Sequence, residues 1–432
     1  MTLFAVLQWY VSLLLAGFLS YVVMRIPRSS VRERSKVTIR PAEIGLVIAS
    51  VLVSLLLFEL AARVLIPPRE AVRGDMYKTH PRALFCLAEN GRAHHVKDEF
   101  RVTYVISDQG FRDRHYSKKD AGAYRILCLG DSSTMGHGVS LEETYVRVLE
   151  TLLGEQNLTK RIEVVNAGTG GYGVWQELIM LNERGFALEP DMVIIELHPQ
   201  TDTRDALAEL GKVMRSYDLS WQRYLHNWRS QSIPTAARTL SRWSRGFAFV
   251  YDRYTQVRDL VQRRLRYRFR RSALHFPPPE TERPWWIESC LVAYYSELEE
   301  GWELLEDSVC QIANHCRERR IPFLLFALPA LHEVYPMEFQ RLVRDFDLDP
   351  DLYDLNKTSR LARELCQRNS IDFVETLHRF REERDNGDHL YYVIDGHITA
   401  RGHRLCAQIL CEHLLKTYLR ELVPASDDRK DG

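Results

Sequence analysis

Apolar positions fall along this chain in three patterns. The first is a pair of long runs near the start. Residues 3–24, LFAVLQWYVSLLLAGFLSYVVM, carry no charge, and residues 44–66, IGLVIASVLVSLLLFELAARVLI, carry only Glu59 and Arg63. A helix needs about 20 apolar residues to cross a bilayer, so both runs are long enough. Glu59 and Arg63 stand one helical turn apart, where they can pair, and close enough to the end to reach the interface. No positive region precedes the first run and no small-residue cleavage site follows it, so a transmembrane hairpin over residues 1–66 is expected rather than a cleaved signal peptide.

The second pattern begins at residue 123. Apolar runs of strand length, at 125–130, 162–166, 191–197, 322–328 and 371–375, alternate with helix-like periodicity at 141–154, 174–186, 292–318, 356–369 and 399–421. Near-continuous Val/Ile/Leu runs are what a parallel sheet covered on both faces requires. The alternation predicts a doubly wound α/β sandwich over residues 123–423, with an extended lead-in over 67–122 and a polar tail over 424–432. Reactive groups in such sheets collect at the carboxyl ends of the strands. The third pattern interrupts the second: an insertion at about 204–289, in which Val257, Leu260, Val261, Leu265 and Phe269 recur at helical spacing among arginines.

Composition changes the picture only locally. The 432 residues hold 58 Lys/Arg and 58 Asp/Glu, so the overall charge points to no partner. Residues 204–275, however, hold 16 Lys/Arg against five Asp/Glu. The basic helix at 257–271 fits a solvated face on its own domain or a surface for anionic lipid headgroups. No recognition motif accompanies its arginines, and no nucleic-acid partner is expected. The link at 25–43 carries six Lys/Arg and two Glu, which places it in the cytoplasm and the rest of the chain on the periplasmic or extracellular side of the inner membrane. All eight cysteines lie beyond residue 80 with no C-x-x-C pairing, so disulfides are permitted but their pairing is unreadable. His94, His95, His389 and His403 are scattered, no metal-site spacing is present, and no phosphate-loop lysine follows the glycines. Neither a metal nor another cofactor is implied.

Three loops carry candidate chemistry. "LCLGDSSTMGHGV", residues 127–139, ends an apolar strand on two hydroxyl residues. A serine attacks an ester when it is exposed, near a base, and beside donors for the developing oxyanion. Ser132, where strand turns into helix, meets the first demand, and the free N–H groups of a helix start contribute to the third. "VVNAGTGGYG", residues 164–173, offers glycines that let the backbone approach a ligand. "YYVIDGHITARGH", residues 391–403, pairs Asp395 with His397, a plausible general base whose tautomer the carboxylate would fix. Each loop alone reads as a cap, a turn or a chance pair. All three occurring together in this order is far less expected by chance.

"GDSSTMGHGV", "NAGTGGYG" and "DGHITARGH", in that order, resemble the SGNH/GDSL hydrolase family. The lead-in "ISDQGFRD" at 106–113 is similar to a segment found ahead of the catalytic domain in its membrane-anchored bacterial members. The resemblance covers roughly residues 100–420 apart from the insertion, and implies a flavodoxin-like three-layer α/β/α fold and chemistry on acyl esters. It makes Ser132 the nucleophile and first oxyanion donor, Gly171 the second donor, His397 the base and Asp395 its orienting acid. The family's third block is Gly-x-Asn-Asp, whereas this chain reads "IIELHPQTDTRD" at 194–205. Thr201 stands where the Asn donor is expected, with Gln200 as a substitute amide, and His198 reads as a loop histidine. Asp131, Asn166 and Asp202 stand beside these residues as support. The resemblance implies a membrane-anchored, exported serine esterase acting on acyl, in particular O-acetyl, esters of envelope or exported carbohydrate rather than free lipid. An O-acyltransferase on the same machinery, and a non-catalytic scaffold among envelope-polysaccharide proteins, are the alternatives.

Overall fold

A computed structural model describes residues 49–50, 53–61, 71–97, 99–209, 244, 246–247, 285–346 and 348–423. The chain divides into two compact units, residues 1–62 and 63–432. In the first unit residues 53–61 are helical. The predicted span at 3–24, most of that at 44–66, and the basic helix at 257–271 lie outside the described residues. Among the described residues no helix is long and apolar enough to cross a membrane.

The second unit is built on a five-stranded parallel sheet. Its strands are β4 (Ala123–Leu129), β5 (Arg161–Asn166), β6 (Met192–Leu197), β7 (Phe323–Ala327) and β8 (Asp372–Glu375), in spatial order β5-β4-β6-β7-β8. These match the five apolar runs of the sequence to within two residues at each end. Strands β4 to β7 are buried on both faces, as their unbroken apolar character demands, while the edge strand β8 is half-buried. Ile126 and Cys128 face one way, under Val146, Leu149 and Leu153 of α2 (Tyr145–Gly154) and Leu405, Cys406 and Leu410 of α9 (Ala400–Thr417). Leu127 and Leu129 face the other, under Val174 of α3 (Val174–Met180), Ala206 of α4 (Pro199–Glu209), Leu305 and Val309 of α5 (Ser296–Glu318) and Leu365 of α7 (Lys357–Arg368). The result is three layers, α/β/α. Helix α8 (Leu377–Glu383) follows β8 directly, and Leu342 of α6 (Pro336–Phe346) packs with Ile287, Cys290, Leu291 and Tyr353.

The chain leaves β4 toward β5 on one side and returns past it to β6 on the other. Such a reversal opens a crevice at the carboxyl end of the central strand, where ligands bind in doubly wound sheets. The nucleophile loop begins there.

Ahead of this sheet, the lead-in region contains a second one. Strands β1 (Ala71–His80), β2 (Leu84–Val96) and β3 (Arg101–Val105) form an antiparallel meander. Val102 and Tyr104 alternate inward along β3, the period-2 pattern of a half-buried strand, and pack with Leu87, Phe100, Ile106 and Met135. Met135 belongs to the nucleophile loop, so the small sheet rests directly on the catalytic end of the large one.

Candidate active site

The tight turn after β4 sets the first residue. Asp131 caps the four-residue helix α1 (Ser132–Met135), its Oδ1 accepting the Ser133 N–H at 2.7 Å. The helix stops at Gly136, whose φ of +88° favours glycine and where a Cβ would meet Thr144 at 2.3 Å. Arg112, from "ISDQGFRD", is buried and donates to the carbonyls of Met135 and Val139, both at 2.7 Å. Burial depresses its guanidinium to about 10, so it stays charged at neutral pH. Asp113 beside it accepts the N–H of Asn166 at 2.8 Å and the Tyr116 hydroxyl at 3.0 Å. The lead-in motif thus braces the loops after both β4 and β5.

Three distant loops then meet. Ser132 Oγ lies 2.8 Å from His397 Nε2, and His397 Nδ1 lies 2.6 Å from Asp395 Oδ1. The serine and histidine are separated by 265 positions in sequence, so only the fold can join them. A hydrogen bond from Nδ1–H to the carboxylate leaves Nε2 free to accept the serine proton. The Asp395 side chain is 2% exposed. Burial works against its charge, yet His137 and His397 outweigh that and hold the carboxyl well below the usual range. The relay therefore stands with a charged acid.

The arrangement resembles that of the SGNH/GDSL hydrolases. No protein-family model matches the chain, and no curated protein matches it. Among solved structures it is similar to the acetyl xylan esterase AlAXEase, at 12% identity over 67% of this chain and 99% of that one, with a TM-score of 0.36. A catalytic mutant of an acetylxylan esterase from Geobacillus stearothermophilus gives 15% identity over 69% of this chain and 96% of that one, with a TM-score of 0.36. The lipase/acylhydrolase from Enterococcus faecalis gives 12% identity over 67% and 95%, with a TM-score of 0.35.

Gly171 takes φ of +81°, and a Cβ there would touch only the Phe85 ring at 3.5 Å, so backbone shape rather than space asks for glycine. Asn166 is fully buried and its Oδ1 accepts the Gly168 N–H at 3.1 Å, which shapes the turn toward Gly171. The third block behaves differently. Gln200 does not serve as a substitute amide: it is buried and donates to Glu333 Oε2 at 2.9 Å. The cause is local. Pro199 opens α4 as its first residue, a position that suits proline, and helix geometry carries Gln200 inward. Thr201 Oγ1 contacts the carbonyl of His198 and its ring Nδ1, each at 3.1 Å. Asp202 accepts the His198 N–H at 2.6 Å. His198 is the residue these contacts fix at the end of β6, with its ring 3.9 Å from Asp131 and in electrostatic contact with His397. Burial pulls its imidazole below the ordinary histidine value.

Sequence reasoning did not single out His137. Its ring stacks on that of His397 at a centroid distance of 4.1 Å and lies 3.5 Å from Asp395 Oδ2. Burial lowers its pKa to about 4, so it is neutral at physiological pH. His137, Asp395 and His397 bring ligand atoms within 4.8 Å of one another, the one such group among the described residues. Lys97 Nζ already sits 2.6 Å from Asp395 and supplies positive charge there. All eight cysteines are free thiols.

Proposed function

We propose that this chain is a serine esterase that acts on short acyl esters. The observation that carries the reading is the continuous relay Ser132–His397–Asp395, with contacts of 2.8 and 2.6 Å. His397 Nε2 takes the Ser132 proton as Oγ bonds to the ester carbonyl carbon. The carbonyl oxygen becomes an oxyanion at the N–H groups of Ser132 and Gly171. Asp395 stabilises the imidazolium that forms meanwhile. His397 then returns the proton to the departing alcohol as the C–O bond breaks, leaving an acyl-serine. Water, deprotonated by the same imidazole, attacks that carbonyl; the C–Oγ bond then breaks, His397 returns the proton to Ser132 Oγ, and the acid leaves. With Gln200 turned away, His198 is the side chain at the end of β6 best placed to support the oxyanion. Tyr77 and Met135 crowd Gly170 beside the proposed donor Gly171, which favours a short acyl group such as acetyl.

The finer reading places this esterase on a membrane anchor, outside the cytoplasm, acting on O-acyl groups of envelope or exported carbohydrate. The two apolar runs and the basic link between them support it. So do Val53, Leu55, Leu56, Leu57 and Leu60, each at least half exposed on the helical stretch 53–61, as lipid-facing residues would be. If a sugar hydroxyl replaces water in the second step, the same atoms perform acyl transfer.

The test is hydrolysis of p-nitrophenyl acetate by the full chain beside Ser132→Ala, followed by an acetyl donor with and without a glycan acceptor. Loss of turnover in Ser132→Ala with an unchanged fold supports the esterase. Equal activity in the two proteins moves the chemistry away from Ser132, and no activity in the wild type removes the esterase in favour of a scaffold. Acetyl appearing on the glycan moves the reading to transfer.

A further inference from the structure

Asp395 is held from its far side by residues of the small antiparallel sheet. Its Oδ1 faces His397, while its Oδ2 receives Lys97 Nζ at 2.6 Å. Two positions later in the same β2–β3 turn, the Glu99 carboxylate accepts three successive backbone N–H groups of the catalytic loop. Val393 donates at 2.8 Å, Ile394 at 3.0 Å and Asp395 at 2.8 Å. Tyr392 pins the start of the same loop through its hydroxyl, 3.0 Å from the Gly138 carbonyl. The Lys97 and Glu99 contacts join residues almost 300 positions apart.

We propose that the β2–β3 turn is part of the catalytic apparatus, with Lys97 and Glu99 as positioning residues for the Asp395–His397 pair. The inference rests on the esterase reading above. An ordinary surface ion pair contributes little, since solvent screens it and two long side chains must be ordered. This one differs because its acid is 2% exposed and its lysine 28%. A donor on each carboxylate oxygen fixes the plane of the group, so rotation about its terminal bond would break both contacts. The Nδ1–H of His397 therefore has one direction in which to point. Glu99 does for the backbone what Lys97 does for the side chain: three charge-assisted hydrogen bonds fix the peptide units from which Asp395 projects.

The charges oppose each other usefully. Lys97 disfavours a second positive charge on His397, whereas Glu99 favours one. The other titratable groups facing the pair are His137, stacked on His397, His95 against His137, Tyr104 and Tyr392 toward Asp395, His403 toward His397, and His198 with Asp131 on the Ser132 side. Removing Lys97 should therefore move the acidic limb of the pH–rate profile upward, and neutralising Glu99 should move it downward. General loosening of the loop would move both in the same direction.

The experiment is the rate of fluorophosphonate labelling and of p-nitrophenyl acetate hydrolysis across pH, in the full chain. It compares wild type, Lys97→Met, Lys97→Arg and Glu99→Gln. Expected are a fall in kcat of about tenfold or more for Lys97→Met with KM little changed, and partial rescue by Lys97→Arg. The acidic limbs should shift in opposite directions by roughly half a pH unit. A wild type that labels at Ser132, with Lys97→Met matching it in rate and limb, overturns the positioning role alone. Limbs that shift together overturn it as well. A wild type that does not label removes the esterase reading and this inference with it.

Discussion

Two sets of carboxyl groups lie at the carboxyl end of the same sheet, and the fold treats them in opposite ways. Asp395 is buried, but each of its oxygens meets a donor, and it remains ionised. Glu177, Glu196 and Asp202 are each about 1% exposed, and their neighbours are largely one another. Both oxygens of Glu177, Oε1 of Glu196 and Oδ1 of Asp202 have no hydrogen-bond partner. Burial first, and the neighbouring acids after it, push all three well above the ordinary carboxylate range. Burial also raises Asp205, to about 7. The lesson is that burial alone does not decide protonation. Paired with a lysine and two histidines a buried acid stays charged, and set among other acids it holds its proton more tightly.

The strongest way to break this contrast is to disarm the charged side. Ser132→Ala should lower turnover of p-nitrophenyl acetate by ~10⁴ or more, since removing the nucleophile leaves only binding and the oxyanion donors. Residual activity within tenfold of wild type would move the chemistry elsewhere. Asp395→Asn keeps the shape but loses the charge and favours the wrong imidazole tautomer, so kcat should fall by ~10³–10⁴. Steady-state kinetics beside near-identical circular dichroism would check it.

The protonated side is sharpened through stability. A carboxyl whose folded pKa lies above its unfolded value binds its proton more tightly in the folded state. The unfolding free energy must then fall as pH rises from about 4, by up to ~1.4 kcal/mol per unit per group. For Asp205 the loss levels off above about 7, and Glu177 adds a loss of the same sign. Glu177→Gln, which mimics the protonated form, should unfold near wild type at pH 5 and be more stable than wild type at pH 8. Denaturant melts at the two pH values measure this, and a variant equally destabilised at both would show that Glu177 is charged. The smaller effects concern the third block. His198→Ala should cost about tenfold in kcat, as loss of a supporting oxyanion contact. Thr201→Asn should stay within about twofold, and a clear gain would restore Thr201 to the donor role its sequence position implies.

Much of this was legible in the chain. The five strands of the large sheet follow from their apolar runs because a strand buried on both faces leaves little freedom of composition. The order of the three loops brought Ser132, Asp395 and His397 under suspicion together. Gln200 misled because the amide type matched the chemistry while Pro199 set a helix that turns it toward Glu333. Lys97, Glu99 and His137 were invisible for a different reason: each acts through a partner in a distant loop, and no local pattern marks such a pairing. The small sheet did leave a signal. Alternation in "FRVTYVI", residues 100–106, places Val102, Tyr104 and Ile106 on its buried side, a short period-2 signal within a stretch otherwise rich in polar residues.

The most direct measurement is peptide mapping of the full chain after reaction with a fluorophosphonate at pH 7.5. The adduct should lie in the tryptic peptide 126–147, with fragment ions placing it on Ser132, and it should be absent from Ser132→Ala and from His397→Ala. An adduct on any other serine, Ser133 included, or an unmodified Ser132 in folded protein, would contradict the account.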